Sequence, residues 1–146
     1  MEQASEKRGS GRGRRYTILI LAAIFIFGTV QALTNRGGSV SVQMDGSMLG
    51  VLGSYGEPLF IKFEEITQIR LDNAVSFGSV IEGEERSNTV SGRYENDAFG
   101  AYTLHAYKES APYIVVSYGE GDTLVFNQKT AKLTREIYAD LTAQIA

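Results

Sequence analysis

Apolar positions fall into three regimes along the chain. From Tyr16 to Leu33 the run YTILILAAIFIFGTVQAL carries no charged residue in 18 positions. At a rise of about 1.5 Å per residue such a helix is roughly 27 Å long, close to the thickness of a bilayer core. A helix also satisfies its backbone amides internally, as lipid demands, so the pattern predicts a transmembrane helix over 16–33. From Val40 onward the pattern changes to short runs of Val, Ile, Leu, Phe and Tyr broken by Gly, Asp, Asn and Pro, the signature of successive antiparallel strands. Val40–Met44 alternates, and Asp45-Gly46 marks a hairpin turn before Met48–Leu52. Leu59–Phe63, Ile66–Leu71, Val75–Val80, Phe99–Tyr107, Tyr113–Tyr118 and Thr123–Asn127 are the remaining strand candidates, and Gly119–Asp122 reads as a turn. The polar stretch Glu82–Ala98 interrupts this rhythm and reads as a long loop carrying little core. In the last segment Leu133, Ile137, Leu141 and Ile145 recur every four residues, which predicts an amphipathic helix capped by Asn127 or Thr130. Its apolar stripe must lie against the strands that precede it.

Charge gives these elements a direction. Residues 1–15 hold Lys7, Arg8, Arg12, Arg14 and Arg15 against Glu2 and Glu6, whereas the rest of the chain holds nine basic and fifteen acidic residues. The basic cluster directly before the apolar run places the N-terminus in the cytoplasm and residues 34–146 on the outer side. The organisation expected is a basic cytoplasmic tail over 1–15, a signal-anchor helix over 16–33, a Gly/Ser/Asn linker over 34–39 and an extracytoplasmic domain over 40–146. A cleaved signal peptide is the alternative, with Val30-Gln31-Ala32 as the cut site. An acidic domain repels phosphate backbones, which argues against nucleic acid as a partner.

Candidate chemistry is sparse. With no cysteine there is no disulfide, thiolate metal site or cysteine nucleophile. His105 is the single histidine, too few for zinc, and without a G-x-S-x-G elbow it is expected to be a surface or edge residue of its strand. Glu64-Glu65 are neighbours in a strand-to-strand bend, a poor geometry for paired acid–base work and a good one for solvation. Glu82, Glu84, Glu85, Glu95, Asn96 and Asp97 lack EF-hand spacing, so a solvated acidic segment is favoured over a calcium site. The glycines at 46, 50, 53 and 56 do not lie between a strand and a helix, so they read as turn and bulge positions rather than a phosphate cradle. Tyr94, Tyr102, Tyr107, Tyr113 and Tyr118 crowd the last third; most are expected in the core, with some facing outward as a protein-binding surface.

The order of elements resembles the pleckstrin-homology fold, a bent β-barrel closed at one end by a C-terminal helix. Three stretches are similar to bacterial PH-like domains that follow a single membrane span: LFIKFEEITQIRL (59–71), GRYENDAFGAYTLHAY (92–107) and PYIVVSYGEGDTLVFNQKTAKLTREIYADL (112–141). The resemblance spans roughly 40–145 and implies a mostly β fold, an antiparallel barrel or sandwich of about seven strands capped by the C-terminal helix. It departs from phosphoinositide-binding members because Met44–Met48, the loop joining the first two strands, has no basic residue, so no inositol-lipid binding is carried over. The expectation is a membrane-anchored, non-catalytic interaction domain with a protein partner or self-association, no cofactor and no metal. Its candidate contact loop holds Glu82, Glu84, Glu85, Arg86, Arg93, Glu95 and Asp97. A secreted or anchored barrel holding a small ligand in its interior is the rival reading.

Overall fold

Turn residues set where the strands begin and end. The computed structural model describes residues 37–146; the basic tail, the predicted membrane span and residues 34–36 lie outside the described residues. Asp45 closes the first hairpin, its Oδ1 accepting from the Ser47 N–H at 2.8 Å between β1 (Ser41–Met44) and β2 (Met48–Leu52). β3 (Leu59–Lys62) pairs with β2, and a single 3-10 turn at Phe63–Glu65 leads into β4 (Ile66–Asp72), leaving both glutamates of the predicted bend exposed. β5 (Ser79–Glu85), β6 (Thr89–Asn96), β7 (Gly100–Tyr107), β8 (Tyr113–Tyr118) and β9 (Asp122–Phe126) follow, and α1 (Ala131–Ile145) ends the chain. Gly119 and Gly121 take positive φ in the predicted turn between β8 and β9. Among the described residues no helix is long and apolar enough to cross a membrane.

Among the described residues nine strands form two sheets, one in the order β1-β2-β3 and one in the order β4-β8-β9-β7-β6-β5. The larger sheet ends in two separate edges, β4 and β5, so the expected barrel does not close and the strand count exceeds the expected seven. All pairs are antiparallel except β7 with β9, which run parallel through Thr103↔Leu124 to His105↔Phe126. Asn127 braces that junction. Its Nδ2 donates to the Tyr107 and Ser110 carbonyls at 3.0 Å each, and its Oδ1 accepts from the Tyr107 N–H at 2.7 Å. Fully buried and fully bonded, it is a structural residue rather than the helix cap.

Period-2 alternation sends the larger sheet's side chains into two cores. On one face Ile114, Val116, Leu124 and Phe126 meet Leu49, Val51 and Ile61 of the smaller sheet and Leu141 of α1. On the other, Val90, Tyr94, Tyr102, Leu104, Tyr113, Val115 and Val125 are covered by Val75, Phe77 and Phe99. The expected strand Val75–Val80 therefore begins only at Ser79. Residues 73–78 instead lay Val75 and Phe77 on this second core, fixed by the Tyr102 hydroxyl donating to the Phe77 carbonyl at 2.8 Å. Tyr94, Tyr102 and Tyr113 are buried and Tyr107 and Tyr118 half-buried, so the outward tyrosine surface does not form.

Three further expectations are corrected. Glu82–Ala98 is not a loop: it holds the end of β5, a short turn at 86–89, all of β6 and part of the turn that leads to β7, with Thr89, Val90 and Ser91 buried. Residues 37–39 are not a free linker. The Asn88 side chain clamps Gly38 from both sides, its Oδ1 accepting from the Gly38 N–H at 2.9 Å and its Nδ2 donating to the Gly38 carbonyl at 3.1 Å. In α1 the docked stripe is Thr134, Ile137, Tyr138 and Leu141, whereas Leu133 is 44% exposed. The rotation follows from the helix start. Thr130 is the cap, accepting from the Leu133 N–H at 3.2 Å, and the buried Thr134 hydroxyl accepts from the Gln128 N–H at 2.8 Å, which turns position 133 outward.

Candidate functional site

The three strands β5, β6 and β7 present one polar face, because cross-strand partners share a side. Register sets Glu82 opposite Arg93 and Arg93 opposite Thr103, and in the next row Glu84 opposite Ser91 and Ser91 opposite His105. Over the lower row folds the segment that joins β2 to β3. Beside it opens a cleft of about 300 Å³ lined by Tyr55, Glu57, Leu59, Glu82, Arg93, Thr103 and His105. Its floor passes over Gly92, whose φ of 138° and whose close approach to the Glu82 carbonyl leave no room for a Cβ.

Of the residues expected to form the contact loop, only Glu82 and Arg93 meet in this cleft. The Tyr55 hydroxyl donates to Glu82 Oε1 at 2.8 Å, which raises the phenol's pKa, the neighbouring carboxylate opposing its ionisation. Arg93 donates to Thr103 Oγ1 at 3.4 Å. Glu84 and Arg86 pair with each other at 2.6 Å, and Arg86 also donates to the Gly37 carbonyl at 3.4 Å. Glu85 is paired with Lys108 at 2.7 Å. Glu95 is exposed near the end of β6 and Asp97 lies in the turn beyond it, at the far end of the hairpin from Glu84–Arg86. Tyr55, Glu57 and Thr103 were not singled out from sequence. The available signal was the turn-rich stretch GSYGEP at 53–58, which carries an aromatic and an acid where a bare turn needs neither.

Beneath the cleft lies a buried polar pair. His105 is 3% exposed and Ser91 1% exposed, in contrast with the expected surface histidine. Their Nδ1 and Oγ lie 2.6 Å apart, and Ser91 Oγ also accepts from the Tyr55 N–H at 3.0 Å. Ser91 Oγ also donates to the Tyr55 carbonyl at 3.4 Å, so one serine hydroxyl holds both backbone groups of Tyr55 beside the imidazole. Burial lowers the imidazole pKa to about 4, so it is neutral at ordinary pH. The pair superficially matches a nucleophile and its base, yet Ser91 Oγ lies out of reach of a substrate carbonyl. Its bonds instead fasten the Tyr55 turn to the sheet.

The second feature of this region is its edge. β5 is hydrogen-bonded to β6 on one side and, among the described residues, borders no strand on the other. A bulge between Val80 and Glu82 leaves Val80 57% and Ile81 55% exposed, the most exposed large apolar side chains of the described residues. Among the described residues no three His, Asp or Glu side chains are grouped as a metal site. The arrangement suits docking: an unpaired backbone edge, two apolar side chains, and an acidic cleft at its flank. Searches of family models, curated proteins and solved structures find no match to this chain.

Proposed function

We propose that this chain is a membrane-anchored, extracytoplasmic, non-catalytic interaction domain of PH-like type, which docks a protein partner along the β5–β6 hairpin. The anchoring part of the reading rests on the uncharged run 16–33 and its basic flank. The PH-like part is supported by the layout of two packed sheets followed by one docked C-terminal helix. The parallel β7–β9 pair and the nine strands are departures from the pattern the resemblance implies. The observation that carries the docking reading is the pair Val80 and Ile81, exposed together on a sheet edge that most proteins protect.

The test is partner recovery from membranes by the full chain with Val80→Ser and Ile81→Ser together. Both side chains leave the core intact, so thermal unfolding should be unchanged while recovery of the partner is lost. Undiminished recovery from the folded variant would remove the hairpin as the docking surface. A small-ligand reading has one observation in its favour, the cleft beside Tyr55, whose volume is at the lower limit of ligand pockets. The barrel interior that this reading first required is absent, since both sheet faces are packed with side chains.

A further inference from the structure

We infer that β5 takes up an extended, basic segment of a protein partner as an added β-strand, with one Lys or Arg of that segment seated in the cleft between Glu57 and Glu82. This deepens the docking reading and rests on it.

An edge strand aims the N–H and C=O groups of every second residue away from its sheet, and an extended peptide completes that ladder. β5 offers this edge over Ser79–Glu85, and the strand carries Glu82, Glu84 and Glu85 with no basic residue. A second copy of the chain is the wrong occupant. In an antiparallel self-pair about Gly83, Glu82 of one copy falls opposite Glu84 of the other, and like charges directly opposite destabilise a sheet. A strand bearing Lys or Arg meets the same edge favourably.

The cleft explains where such a side chain would go. A residue added opposite Glu82 projects from the same face as Glu82, and that face is the one on which the cleft opens. Glu84 and Glu85 are already neutralised by Arg86 and Lys108, whereas neither Glu82 nor Glu57 has an ion-pair partner among the described residues. Arg93, turned to Thr103, supplies one positive charge against these two carboxylates, which leaves the cleft acidic. The neighbouring exposed Val80 and Ile81 provide apolar contact for adjacent residues of the incoming strand. The motif preferred is therefore an alternation of basic and β-branched residues.

The experiment uses the full chain in detergent and capped seven-residue peptides, read by fluorescence anisotropy and by amide hydrogen exchange. A peptide alternating Lys and Val should bind and slow exchange within 79–85. The same peptide with alternate backbone amides methylated should fail to bind, because the added ladder cannot form. Changing Glu57→Gln and Glu82→Gln together should weaken the Lys peptide about tenfold or more, as expected for loss of charge-assisted partners. Changing Glu64→Gln and Glu65→Gln on the distant 3-10 turn should leave binding as in the wild type. The inference is overturned by absence of Lys-peptide binding, by equal binding of a Glu-for-Lys peptide, by tolerance of amide methylation, or by peptide-free dimers that protect β5. If the Lys peptide does not bind yet Val80→Ser/Ile81→Ser still abolishes partner recovery, strand addition fails and the docking reading stands. If that variant recovers its partner normally, both fail.

Discussion

Ser91 and His105 show how much of this domain is fixed by a few buried polar atoms. The unfolded chain binds a proton at His105 below about pH 6.5, the folded chain only near 4. Folded stability from this residue is therefore complete above about 6.5 and falls as the pH drops through that window. Between pH 7 and pH 5 the loss should be about 2 kcal/mol, read as a lower urea midpoint. His105→Asn keeps a polar group at the Nδ1 position and removes the titration, so its stability should be much flatter over the same range. A wild-type midpoint that does not move would show that the imidazole is reached by solvent. The pair also dictates its neighbour. A Cβ on Gly53 would overlap both His105 Nδ1 and Ser91 Oγ, whereas one on Gly46 meets nothing within 4 Å. Gly53→Ala should thus cost about 1–3 kcal/mol, the range for overpacking a rigid site. Gly46→Ala should stay within about 0.5 kcal/mol, as at ordinary surface positions, and equal costs would contradict the packing described.

At the scale of elements, the first hairpin, the turn at Gly119–Gly121 and the C-terminal helix were legible in sequence because each has its own chemistry: an Asx turn, paired glycines, a four-residue period. The β5–β6 hairpin was not. Val90, Gly92 and Tyr94 do alternate with Ser91, Arg93 and Glu95, but a glycine in the apolar row and glutamates along the edge strand masked the period. Edge strands need no apolar face on their outer rim, so a polar strand and a polar loop look alike in one sequence. The cleft was hidden for another reason: Tyr55 and Glu82 meet only because β2–β3 folds over β5–β6, a long-range event with no local signal. The helix was found with its rotation off by about one residue. Leu141→Ala, at the fully buried position, should cost about 2–5 kcal/mol. Leu133→Ala should change stability by no more than about 0.5 kcal/mol. The reverse ranking in chemical denaturation would mean that the helix docks by the stripe expected from periodicity alone.

For the whole molecule, the proposed anchor makes the clamp on Gly38 a limit on the distance between domain and bilayer. Three residues, 34–36, separate the predicted span from Gly37, so the gap is no more than about 15 Å even when extended. On the anchored reading the Asn88 turn, at one end of the β5–β6 hairpin, stays near the membrane surface. A partner strand entering along β5 would then also be presented close to the bilayer. On the same reading the orientation follows from charge, with five basic residues before the predicted span and an excess of acidic residues beyond it. A reporter that works only outside the cytoplasm should be active when fused after Ala146, and activity of a cytoplasm-only reporter there would invert the assignment. Moving the arginines at 12, 14 and 15 into the 34–36 stretch should weaken or reverse the orientation, since the positive flank would then lie on the other side. Retention separates the anchor from the cleaved peptide. An anchor keeps Met1–Arg15 on the mature protein and resists a carbonate wash. Cleavage after Ala32 would leave Leu33 as the mature N-terminus and release a domain whose Gly38 clamp is intact, so it would still be folded but would no longer hold its docking edge at the membrane.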